Sequence, residues 1–365
     1  MTVAAALCYA SVHLFSFLAL VAKPSPFRSL FMIPIMLAVV TFLRSGPEYQ
    51  ENEEYILACT LIVQFFTAAD YILLTDVQRE LTIKGQKEPV YKRPLLERLK
   101  WAASLHVNSR GIGWDHEPTH ALPSRPPPSI TRSKFILHQL RRLASQYALY
   151  AAATVYIRKT PYFVDGHSFM EDGVFWQCVN TIASLTRSST TLNMPHEVLG
   201  IVCVAAGITE PHQWVPFFGP ISEIYSLRNF WGRFWHQNLR RPLASFGHLV
   251  AYKILNLKAG SLSAYLVQVY VGFAISGTIH LCGDYLALGN WAYQRAFLFF
   301  MLQAVGIHIE VLFTRWFSFP KSWKWMGYVW VLTWFVYTLP GWVSGMPWYN
   351  KVNATEYLVS KFLVH

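Results

Sequence analysis

Along most of the chain, apolar runs alternate with short polar stretches. Nine runs are candidates to cross a bilayer: residues 4–22, 30–43, 55–74, 143–156, 174–185, 198–208, 262–288, 296–313 and 325–343. A helix rises about 1.5 Å per residue and the hydrocarbon layer is about 30 Å thick, so about 20 residues are needed to cross it. Runs of roughly 10 to 14 residues fit interfacial or re-entrant positions equally well. The pattern predicts an all-α, multi-span integral membrane protein of about seven to nine transmembrane helices, with the parity open. Run 4–22 lacks the basic flank and cleavage context of a signal peptide and is soon followed by a second run, so it is expected to be retained.

One long polar stretch, 76–142, interrupts the pattern. It holds roughly twice as many Lys and Arg as Asp and Glu, and Pro123 and Pro126 to Pro128 break any long helix through it. The positive-inside tendency places this basic, Pro-rich loop in the cytosol. Composition agrees with a membrane protein: 53% of residues are hydrophobic and 14% charged, where soluble domains carry about 25% charge. At 365 residues the chain has room for about eight spans and little else, which favours a single integral domain over 1–365. A net charge of +11 suits both a cytosolic membrane face and an anionic ligand. The five cysteines stand singly, mostly in apolar runs, and are expected to be free thiols.

Several motifs are informative chiefly by failing. His116, Glu117 and His120 match the letters of a zinc-binding H-E-x-x-H helix, but Pro118 between them breaks the helical turn that would face both imidazoles at one metal. A structured loop and no metal are expected there. Asn353 to Thr355 form a glycosylation sequon that matters only on a lumenal C-terminus. The chain carries no phosphate-cradling glycine loop, no G-x-S-x-G elbow and no stripe of Lys and Arg interleaved with exposed aromatics on a soluble fold. Nucleotide hydrolysis, serine hydrolysis and nucleic-acid binding are therefore unsupported.

Two segments concentrate the chemistry. In SLRNFWGRFWHQNLRR, Ser226 to Arg241, a helix starting near Leu227 would place Trp231, Trp235 and Asn238 on one face and Arg233, Arg240 and Arg241 toward the other. Such a Trp-rich helix belongs in the membrane interface. His236, Gln237 and Asn238 cannot all face solvent from so aromatic a helix, so some of them line a cavity. In the run 262–288, Gly272, Ser276, His280 and Asp284 recur every four residues as one polar, small-residue stripe. That stripe is either a packing seam or a site in which neutral His280 acts as a general base oriented by Asp284.

These residues carry a resemblance. WVPFFGPISEIYSL and the Trp-rich segment after it, RGIGW at Arg110 to Trp114 and SGTIH at Ser276 to His280 together resemble the wax-synthase-like branch of the membrane-bound O-acyltransferase superfamily, in particular the acetyltransferases of fungal secondary metabolism. The likeness runs in order over roughly 110–284, and 211–288 corresponds to the catalytic segment. It implies acyl-CoA-dependent transfer to an alcohol, with His280 as the catalytic base. Its second position falls on His236, where many relatives have Asn, and Asn238 stands two residues on.

The mechanism these residues suit is direct attack. His280 takes the alcohol proton as the oxygen attacks the thioester, and His236 or Asn238 supports the oxyanion. Trp231, Arg233, Trp235, Gln237, Ser276 and Asp284 are the expected substrate contacts, and Arg240 and Arg241 the expected contacts to CoA phosphates, against snorkelling as the plainer role. Acyl-CoA, with acetyl-CoA favoured, is a co-substrate, and no tightly bound cofactor is expected. The partners are the bilayer and a hydrophobic alcohol such as a terpenoid, with no nucleic acid, in the endoplasmic reticulum. A long-chain wax ester synthase is the alternative within the family. A membrane terpene cyclase using Asp70 and Glu310 as acids, or a transporter or channel using His280, Asp284, Asp70, His308 and Glu310, is the alternative outside it.

Overall fold

A computed structural model describes residues 3–45, 52–160, 171–289, 291, 294–317 and 324–343. The sequon lies outside them. Among the described residues, ten helices have nine or more residues: α1 (Val3–Val21), α2 (Met32–Arg44), α3 (Asn52–Ala69), α4 (Leu95–His106), α5 (Arg132–Lys159), α6 (Val174–Ala205), α7 (Arg240–His248), α8 (Leu262–Leu288), α9 (Arg295–Trp316) and α10 (Lys324–Thr338). Among the same residues the only extended pairing is an isolated bridge between Ile83 and Trp114. The chain is all-α. Among the described residues, five helical segments are long and apolar enough to cross a membrane: Val3–Val21, Pro26–Arg44, Tyr55–Leu74, Leu262–Leu288 and Arg295–Trp316.

The chain divides into two compact units, residues 1–118 with 238–308, and residues 119–237 with 309–365. In the first, α3 packs on α8 and α1 on α2 around a core that includes Val12, Ile35, Leu61, Ile62 and Ile279. The end of α1 shows how its polar ends are managed. A helix leaves its last four carbonyls unbonded, which is costly away from water. Here Arg28 Nε donates to Ala19 O at 3.1 Å, Gln78 Nε2 to Leu20 O at 2.6 Å and Ala22 O at 2.9 Å, and Arg98 Nε to Val21 O at 3.2 Å. In the same unit, Ser261 caps the start of α8, and Gly289 ends it in the left-handed region at φ 71°.

In the second unit α5 and α6 form an antiparallel hairpin with a polar seam. Arg142 Nε meets Glu197 Oε1 at 3.0 Å, Asn193 donates to the same oxygen at 3.0 Å, and Tyr156 donates to Asn180 at 2.7 Å. Two separate spans were expected at 174–185 and 198–208, and the structure corrects this: both lie in the single 32-residue α6, about 48 Å long. The polar residues between them do not break the helix because their hydroxyls return to its own carbonyls. Thr190 bonds Thr186 O and Thr191 bonds Arg187 O, each at 2.8 Å. The basic stretch 76–142 is also more ordered than its composition suggests, since α4 lies within it and buries Trp101, Ala102 and Leu105.

Candidate active site

The RGIGW element shapes a loop of the first unit. Asn108 bonds Ile112 in both directions, its Oδ1 accepting from the Ile112 N–H at 2.9 Å and its Nδ2 donating to Ile112 O at 2.8 Å. Gly111 sits at φ 64°, and a Cβ there would come within 2.8 Å of His116 Nε2. Only glycine fits both the conformation and the contact. Trp114, 1% exposed, packs edge-on against Trp101. The H-E-x-x-H letters fall in this loop, where the Glu117 carboxylate accepts from Lys84 at 2.8 Å and from the Gly113 N–H at 3.1 Å. Burial, reinforced by the nearby Arg241 charge, holds the His116 imidazole down at about 4 against the opposing pull of Asp115 and Glu117. Arg110 is buried too, and burial pulls its guanidinium to about 10, leaving it charged at neutral pH.

The Trp-rich segment, in the second unit as far as Gln237, is not one helix. Ser226 caps a first turn, Leu227–Asn229, which widens into a π turn over Phe230–Phe234 and stops at Trp235, whose ψ is 150°. The helical face expected for Trp231, Trp235 and Asn238 is therefore corrected. Two contacts explain the stop. The Gly219 N–H donates to Phe234 O at 2.8 Å, and the backbones approach so closely that a Cβ on Gly219 would lie 2.2 Å from Arg233 O. The Gln237 amide then donates to Trp231 O at 3.1 Å and Trp235 O at 2.5 Å, satisfying carbonyls the broken helix leaves open. The aromatic surface survives the break. Phe230 stacks on Trp235 at 5.5 Å, Trp231 meets Trp235 edge-on at 5.7 Å, and the His236 ring lies against Phe217 at 5.6 Å and Trp235 at 5.8 Å.

In the first unit the expected stripe is real: Gly272, Ser276, His280 and Asp284 lie along α8. The Ser276 hydroxyl donates to Gly272 O at 3.1 Å. Asp284 is fully buried and accepts the Ala296 N–H at 3.3 Å, so it serves the first turn of α9. His280 has a neighbour that the sequence did not point to. Its Nδ1 is 2.5 Å from the Tyr55 hydroxyl and 3.8 Å from Cys59 Sγ, and its ring stacks on Phe300 at 4.6 Å and 9°. Tyr55 is 225 residues away in the chain, and no local pattern links the two. His308 Nδ1 lies 3.2 Å from the Tyr270 hydroxyl.

The arginines separate by partner. Arg241 binds Asp70 at 3.1 Å, donates to Thr75 at 3.0 Å and lies over the Tyr71 ring, whereas Arg233 is half exposed and pairs with Glu223 at 3.3 Å. Arg240 opens α7 and is partly buried, and Asn238 lies in the turn before it. Both acids proposed for a cyclase have structural partners. Asp70 has Arg241, and Glu310 accepts the backbone N–H groups of Leu227 and Arg228 and the Trp330 indole. All five cysteines are free thiols.

These features define an all-helical integral membrane protein that keeps a hydrogen-bonded imidazole inside an apolar span. Comparison with known proteins makes the class specific. The profile of the "Membrane bound O-acyl transferase family" matches residues 214–302. Acetyltransferase ple2 of Rhodocybe pseudopiperita is 37% identical over 315 residues, 85% of this chain and 82% of that one. Acetyltransferase eriL of Hericium erinaceus is 29% identical over 346 residues, 93% of this chain and 90% of that one. Acetyltransferase aurG of Calcarisporium arbuscula is 35% identical over 157 residues, 41% of this chain and 38% of that one. No solved structure matches the chain. The chain belongs to the membrane-bound O-acyltransferase family and is an O-acyltransferase enzyme.

Proposed function

We propose that the enzyme transfers an acetyl group from acetyl-CoA to a hydroxyl of a hydrophobic secondary metabolite of terpenoid type, in the endoplasmic reticulum membrane, with His280 as the general base. The observation that carries the chemistry is the Tyr55 hydroxyl 2.5 Å from His280 Nδ1 within an apolar helix. A hydroxyl held at Nδ1 can fix the tautomer of the imidazole, and a neutral ring suits a general base remote from water. The acetyl preference draws on relatives that are themselves named acetyltransferases. Direct attack of the alcohol on the thioester requires no acyl-enzyme. The closed, water-poor surroundings of a membrane site favour it by orienting both reactants and suppressing hydrolysis.

The companion role at the end of the Trp-rich segment falls to His236 or Asn238. Whichever alanine variant loses more kcat at saturating substrate contacts the transition state. The donor is tested with microsomes containing the enzyme, supplied with labelled acetyl-CoA or palmitoyl-CoA and a panel of terpenoid and fatty alcohols. Label in acetyl esters of the terpenoids supports the proposal. Label mainly in palmitoyl esters of the fatty alcohols replaces it with wax ester synthesis.

A further inference from the structure

We propose that Tyr55 is the positioning residue for His280: its hydroxyl oxygen accepts the imidazole Nδ1–H and so keeps Nε2 as the nitrogen that receives the alcohol proton. This rests on the reading of His280 as general base. A neutral imidazole carries a single N–H, and the partner at one nitrogen decides which nitrogen has it. With the proton on Nδ1 and donated to Tyr55, the Nε2 lone pair is the acceptor. In the opposite tautomer Nε2 is itself a donor and cannot take the proton of an attacking hydroxyl.

Other groups close to the ring among the described residues make contacts of their own. Cys59 is 3.8 Å from Nδ1, its thiol also lies 3.7 Å from Ile279 O, and sulfur is a weak acceptor. Asp284, the orienting group expected from sequence, accepts the Ala296 N–H. Phe300 fixes the plane of the ring through stacking and offers no acceptor. Gly283 accounts for the close approach of Tyr55: a Cβ at that position would come within 2.6 Å of the Tyr55 ring carbons and 2.7 Å of Cys59 Sγ. Glycine on α8, one turn from the imidazole, is what lets the tyrosine of α3 reach it.

The step balances without further reactants. The alcohol proton passes to Nε2 as the alcohol oxygen bonds to the thioester carbonyl carbon. Collapse of the tetrahedral adduct breaks the C–S bond, and the Nε2 proton goes to the departing thiolate, giving the ester and the free CoA thiol. Tyr55 neither gains nor loses a proton in this cycle. Its oxygen holds the Nδ1–H throughout, most strongly while the ring is an imidazolium, because hydrogen bonds to charged donors are the stronger ones.

The test compares the full-length wild type with Tyr55→Phe, which keeps the ring packed on Gly283, and with Gly283→Ala, which displaces that ring. Both variants are expected to lose roughly 10- to 100-fold in kcat, the range that outer partners of functional imidazoles carry, while KM for donor and acceptor stays at the wild-type value. Selective ¹⁵N-histidine spectra, with the His280 signals assigned from His280→Gln, are expected to show a protonated Nδ1 in the wild type and a mixture of tautomers in Tyr55→Phe. A Tyr55→Phe enzyme with wild-type kcat and an unchanged His280 tautomer overturns the assignment. So does a loss of activity that follows lowered thermal stability with the tautomer intact. If His280→Ala itself remains active, the general-base reading fails first, an outcome distinct from either of these.

Discussion

Arg241 Nε meets the carboxylate of Asp70 at 3.1 Å, and that carboxylate is fully buried. The pair joins the start of α7 to the π turn Asp70–Leu74 that ends the third apolar run, and Thr75 bonds both partners. Removing one member of a buried pair leaves the other without compensation, a loss of about 3–5 kcal/mol. Asp70→Asn and Arg241→Met should each lower the unfolding temperature in detergent, and the double variant should recover part of the loss. Arg241→Lys separates this role from CoA binding. Lysine keeps the charge but not the forked geometry, so stability should fall while KM for acyl-CoA of the folded enzyme stays unchanged.

Gly219 tests the architecture of the Trp-rich segment. A Cβ there meets backbone, Arg233 O at 2.2 Å, which cannot rotate away as a side chain would. Gly219→Ala should destabilise the protein by about 1–3 kcal/mol, the usual cost of overpacking. It should also lower kcat more than Gly232→Ala, since a Cβ at Gly232 meets nothing within 4 Å. Thermal unfolding and steady-state kinetics on the two variants check this.

His116 predicts a pH dependence of stability. Its folded pKa is depressed, to about 4 from an ordinary 6.5, so the neutral ring is the form the fold favours. Above pH 6.5 the stabilisation is fully present. As pH falls toward 4 the unfolded chain takes up a proton that the folded chain refuses, and up to about 3 kcal/mol is lost. His116→Gln should remove that part of the acid sensitivity, so the stability gap between variant and wild type should narrow or reverse between pH 6.5 and 4 in denaturant titrations.

Direct attack predicts that no acyl group is held by the protein. The Cys59 thiol, which could carry an acyl group, lies 3.8 Å from His280 Nδ1. Incubation with acetyl-labelled CoA in the absence of acceptor should leave the denatured protein unlabelled, and Cys59→Ser should still turn over. Covalent label that disappears in Cys59→Ser would establish an acyl-enzyme instead.

Much of the fold is legible in the sequence because the bilayer imposes a simple rule. Runs 55–74 and 262–288 coincide with the helical segments Tyr55–Leu74 and Leu262–Leu288, since a span must keep its backbone bonded within an apolar helix. Where helices are held by polar contacts, the rule gives no guidance. The stretch from Thr186 to Pro195 reads as a break, yet α6 runs through it because hydroxyls bond back to the helix and the polar face is covered by α5. The Trp-rich segment reads as one helix because its period suits one. What stops it is a backbone contact from Gly219 and an amide cap from Gln237, neither of which periodicity can reveal. The stripe carrying His280 was visible as a four-residue repeat. Its partner Tyr55 was not, because the pairing is made by tertiary packing at Gly283, far along the chain from the tyrosine.

In the proposed reaction His280 accepts the proton of the attacking hydroxyl. The most direct measurement is the single-turnover rate of ester formation by His280→Ala, with saturating acetyl-CoA and an acceptor that the wild type uses, on protein shown to unfold at the wild-type temperature. A fall of roughly 10²- to 10⁴-fold, the contribution of a general base, is expected with both substrates still bound. A rate near that of the wild type would contradict it.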